Sequence, residues 1–503
     1  MRQFSSASIV LAVSLLASVV QAQGKAPKGF DQYAEETMRD WKVPGVAIAV
    51  VKDDAILFSR GYGVRDIATR APVTPSTVFA LGSVTKSFTS ALVAQDVAAG
   101  RLGWDDTLSH RLPGFATADA NLTSMLSLRD VLAHRSGLPR GDMAWYASHN
   151  SRDENVRRVR YMKPDAAPRT SFSYQNVLYL AAGQAVGVAN HSSWDALMRD
   201  RLLAPLGMRT ATTDLAALKA MSDVAMPNAI VDDTLREVPR RDGDNIAPAI
   251  ALNASALDMA QWIRMQLNGG TLDGRVIVPA AALAQTQRAQ QAVPLSPASA
   301  ELYPGATQLD YGMGWFISEY QGDRVLQHGG NIDGMSALIV LVPARHLGFV
   351  ILTNLDRTAM PSALAYRLID EMAGREPRDW SGEMLRTERA IASQSHLAGQ
   401  IAAARVAVTK GPSHALAQYA GVFADSLYGD LSVRVEQGEL VATLRGTITG
   451  TLQPIGGDSF RIEWSDRMVG TSTVSFRMDD ASHVAAAHLD GLASFGVRAG
   501  SRQ

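Results

Sequence analysis

The sequence predicts an α+β unit built on an antiparallel sheet, followed by a small all-β domain. Strand-like runs occur near both ends of residues 25–375, with helical patterns between them. The composition then shifts over 376–413, and from about 414 the hydrophobic period becomes two. The 503 residues are 47% hydrophobic and 19% charged, which suits several folded domains rather than a disordered or fibrous chain. Cysteine is absent, which excludes disulfides, thiolate nucleophiles and cysteine-held metals. Forty-eight Lys and Arg against 49 Asp and Glu leave no overall field to attract nucleic acid or anionic lipid.

The elements follow in order. Arg2, the apolar or small residues 7–20 and Val20-Gln21-Ala22 read as a signal peptide over 1–22, cleaved near Ala22. The run falls short of the roughly 20 apolar residues that span a bilayer, so the mature protein is expected in the periplasm or secreted, without an integral membrane segment. Residues 30–42 alternate at helical spacing until Val43-Pro44-Gly45. Residues 46–51 and 56–59 form two strands about a turn at Lys52-Asp53-Asp54. A helix from Ser83 to about Gly100 carries Val84, Phe88, Leu92 and Val93 on an apolar face. Residues 100–300 read as helices with Pro- and Gly-bearing loops, and the Arg-rich stretch 152–169 as a solvated face. Strands are expected at 313–319, 337–342 and 347–354, and a helix at 361–374. Residues 376–413 form a linker or helical segment. In 414–503, Leu431, Val433 and Val435 alternate with polar residues, as do Leu440 to Leu444, Phe460 to Trp464 and Val474 to Met478. This predicts a small antiparallel barrel or sandwich.

The sharpest chemical signal is Ser83-Val84-Thr85-Lys86. Three residues apart at a helix start, Ser83 and Lys86 project from one face. The helix N-terminus favours developing negative charge, and a desolvated lysine can take or stabilise the serine's proton. That spacing is common by chance, so its company matters. Tyr174-Gln175-Asn176 and His328-Gly329-Gly330 follow in order. Together, S-x-x-K, Y-x-N and H-x-G resemble the penicillin-recognising serine hydrolases, which include class C β-lactamases, DD-carboxypeptidases, D-aminopeptidases, S12-type peptidases and related carboxylesterases. Phe79-Ala80-Leu81-Gly82, the segment 128–138 with His134, and the segment 255–262 strengthen the likeness over about 25–375.

The resemblance implies a β-lactamase/transpeptidase-like fold and a role for each matching residue. Ser83 would be the acylated nucleophile, with Lys86 and Tyr174 sharing the base duty and the principal base left open. Asn176 would orient Lys86 and a substrate amide. His328 stands where many relatives carry a lysine that meets a substrate carboxylate, a departure similar to D-aminopeptidases and esterases that weakens the case for a strong β-lactamase. The backbone N–H groups of Ser83 and Asn331 would form the oxyanion hole, and Gly329 and Gly330 would leave room for substrate backbone. His134 is read as structural. Residues 416–423 and 428–431 are similar to lipocalin-like C-terminal domains, which in such relatives can cover or narrow the cleft. The expected function is an exported serine hydrolase acting through an acyl-enzyme on small peptides, D-residue-containing ones included. The alternatives are a carboxylesterase on short acyl esters, a β-lactamase or DD-carboxypeptidase, and a non-enzymatic binder of peptidoglycan fragments. The intact Ser83, Lys86, Tyr174 and Asn176 set argues against the binder. No cofactor or metal is expected: there is no HExxH, no phosphate-binding GxxxxGK[ST] loop and no GxSxG elbow.

Overall fold

The computed structural model describes residues 24–407, 411–466, 468–481 and 483–498; the expected signal peptide, 1–22, lies outside them. Side-chain alternation along strand β1 (Gly45–Lys52) sets the layers. Ala47, Ala49 and Val51 face one core, while Val46, Ile48 and Val50 face another. With β2 (Ala55–Gly63), β3 (Gln291–Ala292), β4 (Leu309–Tyr311), β5 (Phe316–Tyr320), β6 (Asp323–Ile332), β7 (Met335–Val342) and β8 (Leu347–Thr353), it forms an eight-stranded antiparallel sheet ordered β2-β1-β8-β7-β6-β5-β4-β3. The N-terminal hairpin joins the C-terminal strands at β1–β8, where Ile48 lies opposite Ile351. Strands β7 and β8 are buried along their whole length because helices cover both faces.

Six helices frame the sheet: α1 (Phe30–Asp40), α2 (Thr85–Ala98), α3 (Asn176–Asn190), α4 (Ala256–Leu267), α5 (Met360–Met372) and α6 (Trp380–Ala407). Helices α2, α3 and α4 share the core that contains Ala47, whereas α1, α5 and the start of α6 share the core that contains Ile48. Helix α2 follows a 3₁₀ turn over Gly82–Val84 and is buried on nearly every side, hydroxyls included. Several of those hydroxyls donate to backbone carbonyls: Thr85 to Gly82 O at 2.7 Å, Ser87 to Val84 O at 2.9 Å and Thr89 to Pro248 O at 2.7 Å.

Three details differ from the sequence reading. Strand β6 was not expected, because Gly329-Gly330 dilutes its β propensity; pairing with β5 and β7 supplies what propensity lacks. The segment read as a linker begins as part of the body. Trp380 Nε1 donates to Asp370 Oδ2 at 2.8 Å, and Trp41 Nε1 to Ser381 Oγ at 3.0 Å. The arginines of 152–169 are engaged rather than merely solvated: Arg152 pairs with Asp195 and Asp244, and Arg169 with the buried Asp130.

The C-terminal strands β9 (Gly421–Asp425), β10 (Gly429–Glu436), β11 (Glu439–Leu444), β12 (Ile448–Gly456), β13 (Ser459–Trp464), β14 (Thr471–Met478), β15 (Val484–Leu489) and β16 (Ala493–Val497) close an up-and-down barrel. Leu431, Leu440, Phe460, Ile462, Val474 and Phe476 fill its interior. Val435, expected to point inward, is 44% exposed at the tip of the β10–β11 hairpin. Among the described residues, no helix is long and apolar enough to cross a membrane.

Candidate active site

A tight turn and a close backbone approach place Ser83. Gly82 holds φ +51°, a left-handed conformation costly to any other residue. Opposite it, β6 runs so near that a Cβ on Gly330 would sit 1.9 Å from Leu81 O and 3.0 Å from Ser83 N. A Cβ on Gly82 would likewise meet Asn331 N at 2.9 Å, so the backbones carrying the Ser83 and Asn331 N–H groups are in contact. Gly329 has open space beside it, with only Ala337 O within 4 Å of a Cβ. Strand β5 pairs with β6 only as far as Gln327. The β6 edge from His328 onward is therefore unpaired by β5 beside the Ser83 turn.

Lys86 lies one turn into the lobe, wholly buried. Its ammonium nitrogen donates to Ser83 Oγ at 3.1 Å, Asn176 Oδ1 at 2.6 Å and Ala249 O at 3.1 Å. All three acceptors are neutral, and burial drives the lysine pKa well below its ordinary value. Asp142 opposes that shift and Arg140 adds to it. Asn176 is held in the matching orientation, because its Nδ2 donates to Asp142 Oδ1 at 2.8 Å. Asp142 also accepts from Trp145 Nε1 at 3.0 Å and from Arg140 at 2.5 Å.

Tyr174 packs beside this pair, with Lys86 Nζ 4.7 Å from its ring centre and the Arg140 guanidinium 5.1 Å away. Burial raises its pKa, opposed by a hydrogen bond to Ser83 and by Arg140. Burial thus acts in opposite senses on the two protons, holding the tyrosine's and loosening the lysine's. His134 lies beneath, its ring centre 4.2 Å from that of Tyr174, and its Nδ1 accepts from Gln175 N at 3.0 Å. It props the Tyr174 segment, in keeping with a structural role.

His328 stands apart from the open cleft, which departs from the expected contact with a substrate carboxylate. Its ring is 1% exposed among Tyr311, Phe316 and Tyr174. Nδ1 donates to Gly329 O at 2.7 Å, leaving Nε2 to accept from the Tyr311 hydroxyl at 3.0 Å. Burial, with Lys86 nearby, pushes its pKa down to about 3, so the ring stays neutral. The physical reason is register: the β6 residue that precedes the glycines points into the aromatic layer under β4 and β5.

Ser83, Asn176 and Asn331 open onto a cleft of about 510 Å³. Its far wall holds Met143, Trp145, Tyr146 and Ile332, together with Met468 from the barrel. Arg445 of the barrel grips that wall from behind, donating to Met143 O at 2.5 Å and Tyr146 O at 2.6 Å. Ser83 thus opens onto a cleft lined from both domains, with Lys86 and Tyr174 buried behind it.

The family described as Beta-lactamase matches residues 30–373. The chain belongs to the Beta-lactamase family. A second family, described as a domain of unknown function (DUF3471), matches 405–499 and so contains the barrel. Among curated relatives, "Unguisins hydrolase ungD" of Aspergillus violaceofuscus is 28% identical, over 88% of this chain and 84% of its own. "Penicillin-binding protein 4" of Amycolatopsis lactamdurans is 32% identical, over 66% of this chain and 86% of its own. Among solved structures, the octameric penicillin-binding protein homologue from Pyrococcus abyssi shares the fold with TM-score 0.64 and 20% identity, covering 93% of this chain and 99% of that one.

The sequence reading missed Arg140, Asp142, Arg241, Arg445, Asp466 and Met468, all of which border or brace this Beta-lactamase-family cleft. They come from four segments far apart in the chain, Arg140 with Asp142, Arg241, Arg445, and Asp466 with Met468, so only their assembly reveals them.

Proposed function

We propose that this protein is an exported serine hydrolase that cleaves small peptides through an acyl-enzyme. The observation that carries the proposal is the wholly buried Lys86 amine, 3.1 Å from Ser83 Oγ and ringed by neutral acceptors. A lysine made neutral by its surroundings is a base at ordinary pH, and a serine hydroxyl bonded to a base is an activated nucleophile. Ser83 Oγ attacks the scissile carbonyl as its proton passes to Lys86 Nζ. The backbone N–H groups of Ser83 and Asn331 receive the oxyanion, a type of contact whose loss costs roughly 100- to 1,000-fold in rate. Tyr174, which holds its proton, delivers it to the leaving nitrogen and is replenished from the Lys86 ammonium. Water then takes the leaving group's place, and the same groups return the proton to Ser83.

The free β6 edge at Gly329 supports a peptide substrate, which can lie there as an added strand. Export rests on the leader-like residues 1–22 and on the absence of cysteine. Intact-mass analysis after fluorophosphonate treatment should give one adduct, absent from Ser83→Ala, and that variant should hydrolyse nothing. A panel of D and L p-nitroanilides beside p-nitrophenyl esters should show amide cleavage. Near-wild-type activity in Ser83→Ala would remove the mechanism.

A further inference from the structure

The far wall of the cleft is joint property of both domains. Met143, Trp145 and Tyr146 come from the helical lobe and Ile332 from the end of β6, whereas Met468 sits in the turn between β13 and β14. The barrel fixes both sides of this wall. Arg445, at φ +54° between β11 and β12, directs its two terminal nitrogens at the carbonyls of Met143, Tyr146 and Tyr428. Asp466 shapes and anchors the Met468 turn. Its Oδ1 accepts from Met468 N at 3.0 Å, and its Oδ2 from Arg241 at 2.7 Å and from the Tyr146 hydroxyl at 3.3 Å. Arg241 also donates to Asp333 Oδ2 at 2.7 Å, and Trp145 Nε1 to Asp142 at 3.0 Å.

The polar atoms of this wall are therefore taken up by one another. What this wall offers a ligand is thioether and ring surface, which recognises apolar groups by the area it removes from water, while Asp356 and Arg357 line the cleft elsewhere. We propose that Met143, Trp145, Tyr146 and Met468 form an apolar subsite for a bulky apolar substituent of the substrate, aromatic or long aliphatic, with Met468 as a specificity-determining residue lent by the barrel. The subsite rests on the reading of Ser83 as nucleophile, because its occupant is a group flanking the carbonyl that Ser83 attacks.

The test measures kcat/KM for Phe against Ala p-nitroanilides, and for p-nitrophenyl octanoate against acetate, in wild type, Met468→Trp and Met468→Ala. Wild type should prefer the larger member of at least one pair. Met468→Trp, which fills the subsite, should lower that large-to-small ratio by about 10-fold or more. Met468→Ala, which opens it, should move the preferred size upward, and it serves alone if the Trp variant does not fold. A response confined to the anilides identifies an amino-acid side chain as occupant, and one confined to the esters identifies an acyl chain. Unchanged ratios, with wild-type Ser83 still labelled by fluorophosphonate, would overturn the subsite while sparing the nucleophile. Failure of wild type to label would instead overturn the reading on which it rests.

Discussion

Lys86 in helix α2 and Arg445 at the barrel junction face the same physical problem. Each is a cationic side chain taken out of water, its donors directed at neutral oxygens and without an ion pair among the described residues. Lysine can escape by releasing its proton, and burial pushes Lys86 well down toward doing so. Arginine has no such exit. Burial lowers Arg445 only to about 10, so it stays charged and needs three carbonyls to hold it. The same desolvation thus favours a neutral amine in one region and leaves a clamped cation in the other, and side-chain chemistry decides which.

Exchanging the two chemistries tests that contrast. Lys86→Arg should have the largest effect, since a guanidinium cannot accept the Ser83 proton. Hydrolysis of p-nitrophenyl acetate should fall by roughly 100- to 10,000-fold, and a rate near wild type would break the comparison. Arg445→Lys should have a smaller effect and act on stability. Losing carbonyl contacts should reduce denaturant stability by about 1–3 kcal/mol at neutral pH. The sign of its pH dependence follows from linkage. A buried lysine has a lower pKa folded than unfolded, so the unfolded chain binds the extra proton, and stability should rise with pH toward about 10 relative to wild type. Parallel stability curves for the two proteins would show that the junction does not desolvate residue 445.

The legibility of the molecule divides along similar lines. Short apolar runs announced β1, β7 and β8, which are buried on both faces, and period-two alternation announced barrel strands that turn one face to a core. Ser83 and Lys86 were legible because their partnership is local, three residues along one turn. The burial of His328 was not, because it depends on the register that brings Tyr311 above it. The sequence reading gave Gly329 and Gly330 one purpose, yet only Gly330 touches the Ser83 turn and Gly329 faces open space. Arg445 and Asp466 were invisible for a simpler reason. Their partners across the domain junction are separated by 225 to 320 residues, and no spacing rule reaches so far.

The decisive measurement is the pH dependence of the rate at which fluorophosphonate labels Ser83, with no substrate present. A neutral Lys86 predicts a rate that climbs along a single acid limb and is already on its plateau well below pH 10, the range where an exposed lysine loses its proton. A rate that keeps rising through pH 10 would mean that the amine beside the serine is still charged at neutrality, and would contradict the mechanism.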